Sequence, residues 1–569
     1  MVILGLTFGH DAAASLIADG VVIADVAEER FTGLKHNAGF PSAAITYCLD
    51  EAGLTAEQVD VLAIAGLFLP GDLERYFRLS PEQKATLSAL VPAKGRVRQM
   101  VVGSGQRDLP LDIPRVTLSP RCRVMCIEHH LGHAASAYFT RGRSDRCLVV
   151  TMDGNGDNVS VAVWIGEGNR IELVKKWGPE ASLGFFYGNV TEALGWQHGD
   201  GEGITMGLAP YGEATKVGDR LDRFHPVFAN GDLAVPHDFG PASYVIDHGS
   251  YHWHFAEAED IRRVADACGP EHVAARAQEI IEQQVVPFIR HWTKELGIKR
   301  LACAGGLFLN IKLNQRLWHD GGLEEQWIFP NPGDSGLALG VALQAWHSLA
   351  QPSQFKRLES LYLGPAYGND AIRATLASRH LTYREVVDPS LEGAKFLASG
   401  MIVGWFQGRM EAGPRALGNR SILMSANRPE NKDLINARVK FRERFRPFCP
   451  SLLFDRKDDY LKDGREENFM ITSFEVTDEK RDKIPAVVHV DGTLRPQTLK
   501  REVNPRFYDL IQHFGDLTGE YLVLNTSFNT RGKPIVCSPS DAIRCFFDSG
   551  LDALVIGNFA LVKDAQGRQ

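Results

Sequence analysis

None of the nine cysteines forms a CxxC pair, and Cys122 and Cys126, four positions apart, have no second pair that would complete a zinc site. Reduced thiols, and so a cytoplasmic protein, are the expectation. No run of about 18 apolar residues occurs, which argues against a helical membrane span. The opening MVILGLTFGHDAAAS has no basic residue ahead of its apolar stretch, unlike a secretory leader. The sequence also lacks GxxxxGK[ST], which excludes a P-loop, and no GxGxxG follows a strand to support a dinucleotide site. Nor is there an excess of positive charge. The formal balance of -8 and the lack of a recognisable RNA or DNA module argue against a nucleic-acid partner, although a local basic cavity is compatible with an acidic average.

What is present is a chain of 569 residues, 44% apolar, 23% charged and 9% aromatic. These are the proportions of a globular protein too long for one core. Near residue 350 the sequence turns polar and irregular (AQPSQFKRLESLYLGPAYGND), giving expected domains at 1–352 and 358–569. Both read as α/β. VILGLT at 2–7 and VVIADVA at 21–27 read as strands joined across Asp19-Gly20, and LVVTMD followed by Gly154-Asn155-Gly156-Asp157-Asn158 and SVAVWIG forms a second such unit. Two hairpins of one kind suggest a duplicated fold. A helix over 271–296 starts after Pro270 and ends at Gly297. RLACA then runs into Gly305-Gly306 and a helical LNIKLNQRL, the strand, glycine and helix layout that binds anions. In the second domain a helix at 368–380, a strand at 402–406, a charged insertion around 455–485 and a final strand YLVLNTSFN are expected.

Three constellations carry chemistry. In EHHLGHAASAY, His129 and His133 stand one helical turn apart and share a face. With Asp153 and Asp334 on neighbouring turns they make a set that suits iron, manganese or zinc better than calcium. Glycine-rich turns after strands, at Gly9, Gly154, Gly305-Gly306 and Gly333-Asp334-Ser335-Gly336, gather backbone amides as phosphate hairpins do. The segment 405–450 holds eight arginines and two lysines. Arg415, Arg420 and Arg446 are interleaved there with Gly, Pro, Phe and Leu, so their guanidiniums are expected to be partly buried against a compact anion. Arg495 and the Asn525-Thr526-Ser527-Phe528-Asn529 run add donors.

EHHLGHAASAY, GEGITMGLAPYG, AGGLFLN, NPGDSGLALG, EAGPRALGNRSIL, VKFRERFRPF, HVDGTLRPQT and LNTSFNTRGKPIV stand in this order, from His10 to about Lys563. In this the chain resembles the O-carbamoyltransferases of antibiotic biosynthesis and nodulation-factor decoration. The resemblance implies an N-terminal actin-like ATPase (ASKHA) domain similar to threonylcarbamoyl transferases and a C-terminal YrdC-like domain with a basic cavity. It implies that His129, His133, Asp153 and Asp334 hold a metal, iron (Fe2+) by preference, and that Gly154, Gly305, Gly306 and Asn310 belong to a nucleotide site where magnesium accompanies ATP. Arg415, Lys440, Arg446, Arg495, Asn525 and Ser527 then hold carbamoyl phosphate. His10 becomes the general base for the acceptor hydroxyl, with Asp11 orienting it, and Lys35 contacts the carbamoyl or acceptor group. Ile204 in GEGITMGLAPYG departs from the pattern, since lysine is frequent there in relatives, and any phosphate contact from that position is in doubt.

The implied chemistry releases carbamate from carbamoyl phosphate, forms carbamoyladenylate and pyrophosphate from ATP, and transfers the carbamoyl group to a hydroxylated small molecule. An actin-fold kinase would share the nucleotide turns without needing the arginines and would form ADP. A nucleotide-dependent binding module would turn nothing over, and a tRNA-threonylcarbamoylating enzyme would need a nucleic-acid partner. The stretches 65–120 and 213–260 lack the shared motifs and are expected to shape the acceptor pocket. A homodimer is the expected assembly.

Overall fold

Asp19-Gly20 forms the first tight turn, with φ of 47° and 78°, but it joins Ala13–Ala18 to Val21–Ala27 and does not close on Val2–Thr7. The strand Ala13–Ala18 is one element that sequence reading passed over. Five of its six residues are buried, so it lacks the alternation by which a half-exposed strand declares itself. The computed structural model describes residues 1–67, 73–90, 116–240, 243–247 and 250–563. Part of the 65–120 stretch expected to shape the acceptor pocket lies outside them.

Two compact units divide the chain, Met1–Leu358 and Glu359–Gln569. The first holds two five-stranded sheets. One runs in the order Val21–Ala27, Ala13–Ala18, Val2–Thr7, Val61–Ala65, Arg123–Ile127, and the other in the order Arg170–Trp177, Val159–Glu167, Cys147–Gly156, Arg300–Ala304, Glu325–Ile328. In each, an antiparallel meander is extended by two parallel strands. The duplication is therefore one of topology.

Each sheet is followed by a helix that packs on the other sheet. His129–Thr140 leaves the first sheet and lies on Cys147–Gly156, Val159–Glu167 and Arg300–Ala304 of the second, while Leu337–Ala350 leaves the second and lies on Val2–Thr7, Ala13–Ala18 and Val61–Ala65 of the first. The close approach demands glycine: a Cβ on Gly5 would fall 2.0 Å from the Ala338 carbonyl oxygen. Both helices are buried along most of their length, and each fully buried large aliphatic side chain on them contributes about 1.5–3 kcal/mol. The helix Pro270–Leu296 begins with Pro270, continues through Pro287 and ends at Gly297 with φ of 65°.

The second unit is built on an eight-stranded mixed sheet in the order Arg384–Glu385, Phe559–Val562, Ala553–Ile556, Val403–Phe406, Arg420–Met424, Leu522–Ser527, Cys449–Leu453, Gln497–Leu499. The expected helix is Asn369–Ser378. Leu522–Ser527 is not the last strand: Ala553–Ile556 and Phe559–Val562 follow it as a hairpin over Gly557-Asn558. Both units are mixed α/β. No helix among the described residues is long and apolar enough to cross a membrane.

Candidate active site

His129 is the first residue of its helix, and its backbone N–H donates to Asp157 Oδ2 at 2.8 Å. One turn on, His133 brings its Nε2 to 3.1 Å from Nε2 of His129. Asp153, near the end of Cys147–Gly156, places Oδ2 at 3.4 Å from His129 Nε2 and 3.9 Å from His133 Nε2. Asp334, in the turn that enters Leu337–Ala350, places Oδ1 at 3.5 Å from each of those nitrogens. All four donor atoms lie within 4.8 Å of one another. Ligands at about 2.0–2.2 Å from a common ion stand about 3.3–3.6 Å apart in a tetrahedron, so the four residues fit one first-row metal ion. Burial opposes a charge on His129, but Asp334 and Asp153 outweigh it and push the imidazole up to about 9. The two carboxylates thus favour a positive charge between them.

Neighbouring groups fix these donors. Asp153 Oδ1 accepts the N–H of Gly306 at 2.7 Å, which turns Oδ2 toward the histidines. Gly156 has to be glycine, because a Cβ there would meet the His129 ring at 2.2 Å. His130, the middle histidine of the motif, is buried, with Nδ1 at 2.9 Å from the Thr151 hydroxyl and Nε2 at 2.8 Å from the Val159 carbonyl. Burial, His129 and His133 hold it well below the usual range, so it is neutral and structural. Of the expected nucleotide residues, Gly154 accepts hydrogen bonds on its carbonyl from Ser160 and Ser182. Gly305 adopts φ of 103°, with its N–H on the Pro332 carbonyl. Asn310 caps Ile311–Asp320 and exchanges amide hydrogen bonds with Gln278.

His10 lies beside Asp11, Nδ1 to Oδ2 3.1 Å. Burial works against its charged form, but Asp11 raises it above its ordinary value overall, with Asp334 adding to the effect across space. Lys35 pairs with Asp200 at 2.7 Å. His36 and Asp200, which sequence reading did not single out, join the two: His36 Nδ1 is 2.8 Å from Asp11 Oδ1 and its Nε2 is 3.4 Å from Asp200 Oδ1. The signal was available, since His36 directly follows Lys35 in GLKHNAGF.

In the second unit the loop EAGPRALGNR folds around buried Glu411, whose Oε1 accepts the N–H groups of Leu417, Asn419 and Arg420. That loop presents Arg415, whose buried Nε has no hydrogen-bond partner. Burial first, then Arg495 and Arg446, pull its guanidinium down to about 9. Arg442 is likewise drawn down to about 9 by burial, Arg446 and Arg495, and it stacks on Phe448 at 4.4 Å. Arg495 Nε donates to Cys449 Sγ at 2.9 Å. Arg446 and Arg495 thus both act on Arg415 and Arg442, an arrangement of cations suited to a compact anion. Arg442 escaped sequence reading because nothing in the run separated it from solvated arginines.

Arg420 is a correction. Its buried guanidinium stacks on Phe406 at 3.7 Å and donates to the carbonyls of Gln407, Gly408, Asn419 and Pro365, so backbone oxygens take the place of the expected anion. Lys440 donates to Ser527 and Asn529, at distances of 2.5–3.2 Å. Asn525 Nδ2 donates to Ser451 Oγ and the Ala416 carbonyl, which anchors the loop next to Arg415.

Residues 2–343 match the family model described as carbamoyltransferase N-terminus, and residues 394–563 match that described as carbamoyltransferase C-terminus. The chain belongs to the carbamoyltransferase family. This carbamoyltransferase is 35% identical to nodulation protein NolNO of Sinorhizobium fredii over 98% of its own length and 79% of that protein. It is 36% identical to the uncharacterized protein sll1178 of Synechocystis sp. over 99% of its length and 97% of the relative. Among solved structures, full-length HypF in the phosphate- and nucleotide-bound form aligns over 62% of this chain and 56% of its own, with 13% identity and a TM-score of 0.32, a likeness too slight to assign the fold.

Proposed function

We propose that this carbamoyltransferase is an ATP-dependent O-carbamoyltransferase that takes carbamoyl phosphate as donor and a hydroxylated small molecule as acceptor. The observation that carries the reading is that Arg446 and Arg495 both stand close enough to Arg415 and to Arg442 to oppose their charge in a partly buried setting. A pocket of that charge favours a phosphate that gains charge as it leaves, because fixed guanidiniums need no reorganisation at that moment. Hydrolysis of carbamoyl phosphate there gives carbamate and orthophosphate. A carbamate oxygen then attacks the α-phosphorus of ATP, expelling pyrophosphate and leaving carbamoyladenylate. The acceptor hydroxyl attacks the carbamoyl carbon, its proton passes to Nε2 of His10, and AMP departs. Asp11 holds His10 through Nδ1, which leaves Nε2 as the basic nitrogen.

We read the first unit as an actin-like (ASKHA) domain, with Gly154, Gly305 and Gly306 at the nucleotide phosphates and Asn310 beside them, and the second as a YrdC-like domain. His129, His133, Asp153 and Asp334 hold a metal ion, Fe2+ in this reading, and magnesium accompanies ATP. Bound there, the ion supplies Lewis-acid polarisation of a phosphate or carbonyl oxygen. Lys440, Asn525 and Ser527 support the donor pocket, and Lys35 stands on the acceptor side.

The test is mass spectrometry of hydroxylated acceptors incubated with the metal-loaded enzyme, ATP and carbamoyl phosphate. A carbamoyl increment that requires both ATP and carbamoyl phosphate is expected. Transfer of a phosphoryl group instead, or carbamoylation that proceeds without ATP, contradicts the reading.

A further inference from the structure

Asp11 is shared between two imidazoles. Its Oδ2 faces Nδ1 of His10 at 3.1 Å and its Oδ1 faces Nδ1 of His36 at 2.8 Å. The two rings lie nearly parallel, 15° apart with centroids at 5.2 Å. His36 is fixed from behind as well. Its Nε2 is 3.4 Å from Asp200 Oδ1, its N–H donates to Glu29 Oε2 at 3.1 Å, and Asp200 is itself held by Lys35. Two histidines and a carboxylate have donors suited to a metal. Here, however, each Nδ1 meets a different oxygen at hydrogen-bond distance, so the pairs are complete without an ion.

Left alone with Asp11, His10 would be held as an imidazolium, since a carboxylate stabilises the charged ring. A base for a hydroxyl has to start neutral. His36, between the carboxylates Asp11 and Asp200, is the ring placed to carry the proton. We infer that His36 is a positioning residue for His10: it occupies the second oxygen of Asp11, balances that carboxylate's charge, and sets its own charge against the face of His10, so that Asp11 holds His10 as an imidazolium less firmly than it would alone. The inference rests on reading His10 as the acceptor-side base. The other charged or titratable groups facing the pair are Asp334 and His198 toward His10, and Asp200, Lys35, Glu29 and Glu202 around His36.

His10 is the only histidine of the tryptic peptide 1–30. Its acylation by diethylpyrocarbonate, which attacks imidazole only in its neutral form, can therefore be followed by mass spectrometry against pH in the full-length protein without substrates, with fragment ions placing the adduct on His10 and not on the Met1 amine. His36→Gln keeps a donor to Asp11 but carries no charge. It is expected to move the His10 midpoint up by about one pH unit and to move the acid limb of acceptor carbamoylation with it. Acceptor-free release of pyrophosphate from ATP and carbamoyl phosphate stays at the wild-type rate. Asp200→Asn loosens the same cation from behind and is expected to shift the midpoint in the same direction by less; it is the variant to use if His36→Gln does not fold. An unchanged His10 midpoint in a folded variant overturns the inference, whatever the enzyme turns over. A shifted midpoint with an unaltered acid limb upholds the hold of His36 on His10 and overturns instead the reading of His10 as the base.

Discussion

Gly132 and Gly340 meet backbone to backbone: a Cβ on Gly340 would stand 2.1 Å from the carbonyl oxygen of Gly132. The crossing brings together the helix that carries His129 and His133 and the helix entered through Asp334. The packing of two small residues therefore sets the separation of the candidate metal ligands drawn from the two halves of the first unit.

Gly340→Ala is expected to destabilise the protein by about 1–3 kcal/mol, the usual range for overpacking, and to lower the metal content of the purified protein. Denaturant titration and elemental analysis check the two effects. Wild-type stability with full metal content would contradict this account of the crossing.

Asp25 lies buried in Val21–Ala27 with neither carboxylate oxygen hydrogen-bonded, and burial pushes it up to about 7. A carboxyl raised on folding holds its proton more tightly in the folded state. Its penalty is therefore absent below the unfolded value of about 4, grows as the pH rises, and is complete above about 7. Asp25→Asn is expected to stabilise the protein at about pH 8, by up to about 4 kcal/mol, and to lose that gain toward pH 4. Thermal unfolding across this range checks the sign.

Arg415, half-buried with its Nε enclosed, and Arg420, fully buried in the same loop-strand segment, are expected to behave oppositely. Arg420→Ala strips donors from four backbone carbonyls and is expected to cost several times the roughly 1–3 kcal/mol of one unsatisfied buried group. Arg415→Ala removes a cation repelled by Arg495 and Arg446, so the fold keeps its stability or gains. Millimolar phosphate should raise the Tm of the wild type and not of Arg415→Ala, because a ligand that binds only the folded state stabilises it. Equal phosphate stabilisation of both proteins would remove Arg415 from the pocket.

The sequence displayed these parts unevenly. The pairing of His129 with His133 follows from helical spacing, and the turn at Asp157-Asn158 from its composition, because both are local rules. Ala13–Ala18 was hidden because a strand buried on both faces has no alternation to read. The roles of Arg420 and Arg442 were out of reach for a different reason: a basic run does not say which guanidinium meets carbonyls and which meets other arginines until the fold sets Pro365, Gln407 and Phe448 against them. His36 and Asp200 stand 164 positions apart, and only the fold makes them neighbours.

The most direct test of the central claim is a single-turnover measurement with metal-loaded enzyme, ATP and carbamoyl phosphate, without acceptor. The account predicts orthophosphate and pyrophosphate in equal amounts, with AMP or carbamoyladenylate, dependent on carbamoyl phosphate and abolished in Arg415→Ala. Formation of ADP, or nucleotide turnover indifferent to carbamoyl phosphate, would contradict it.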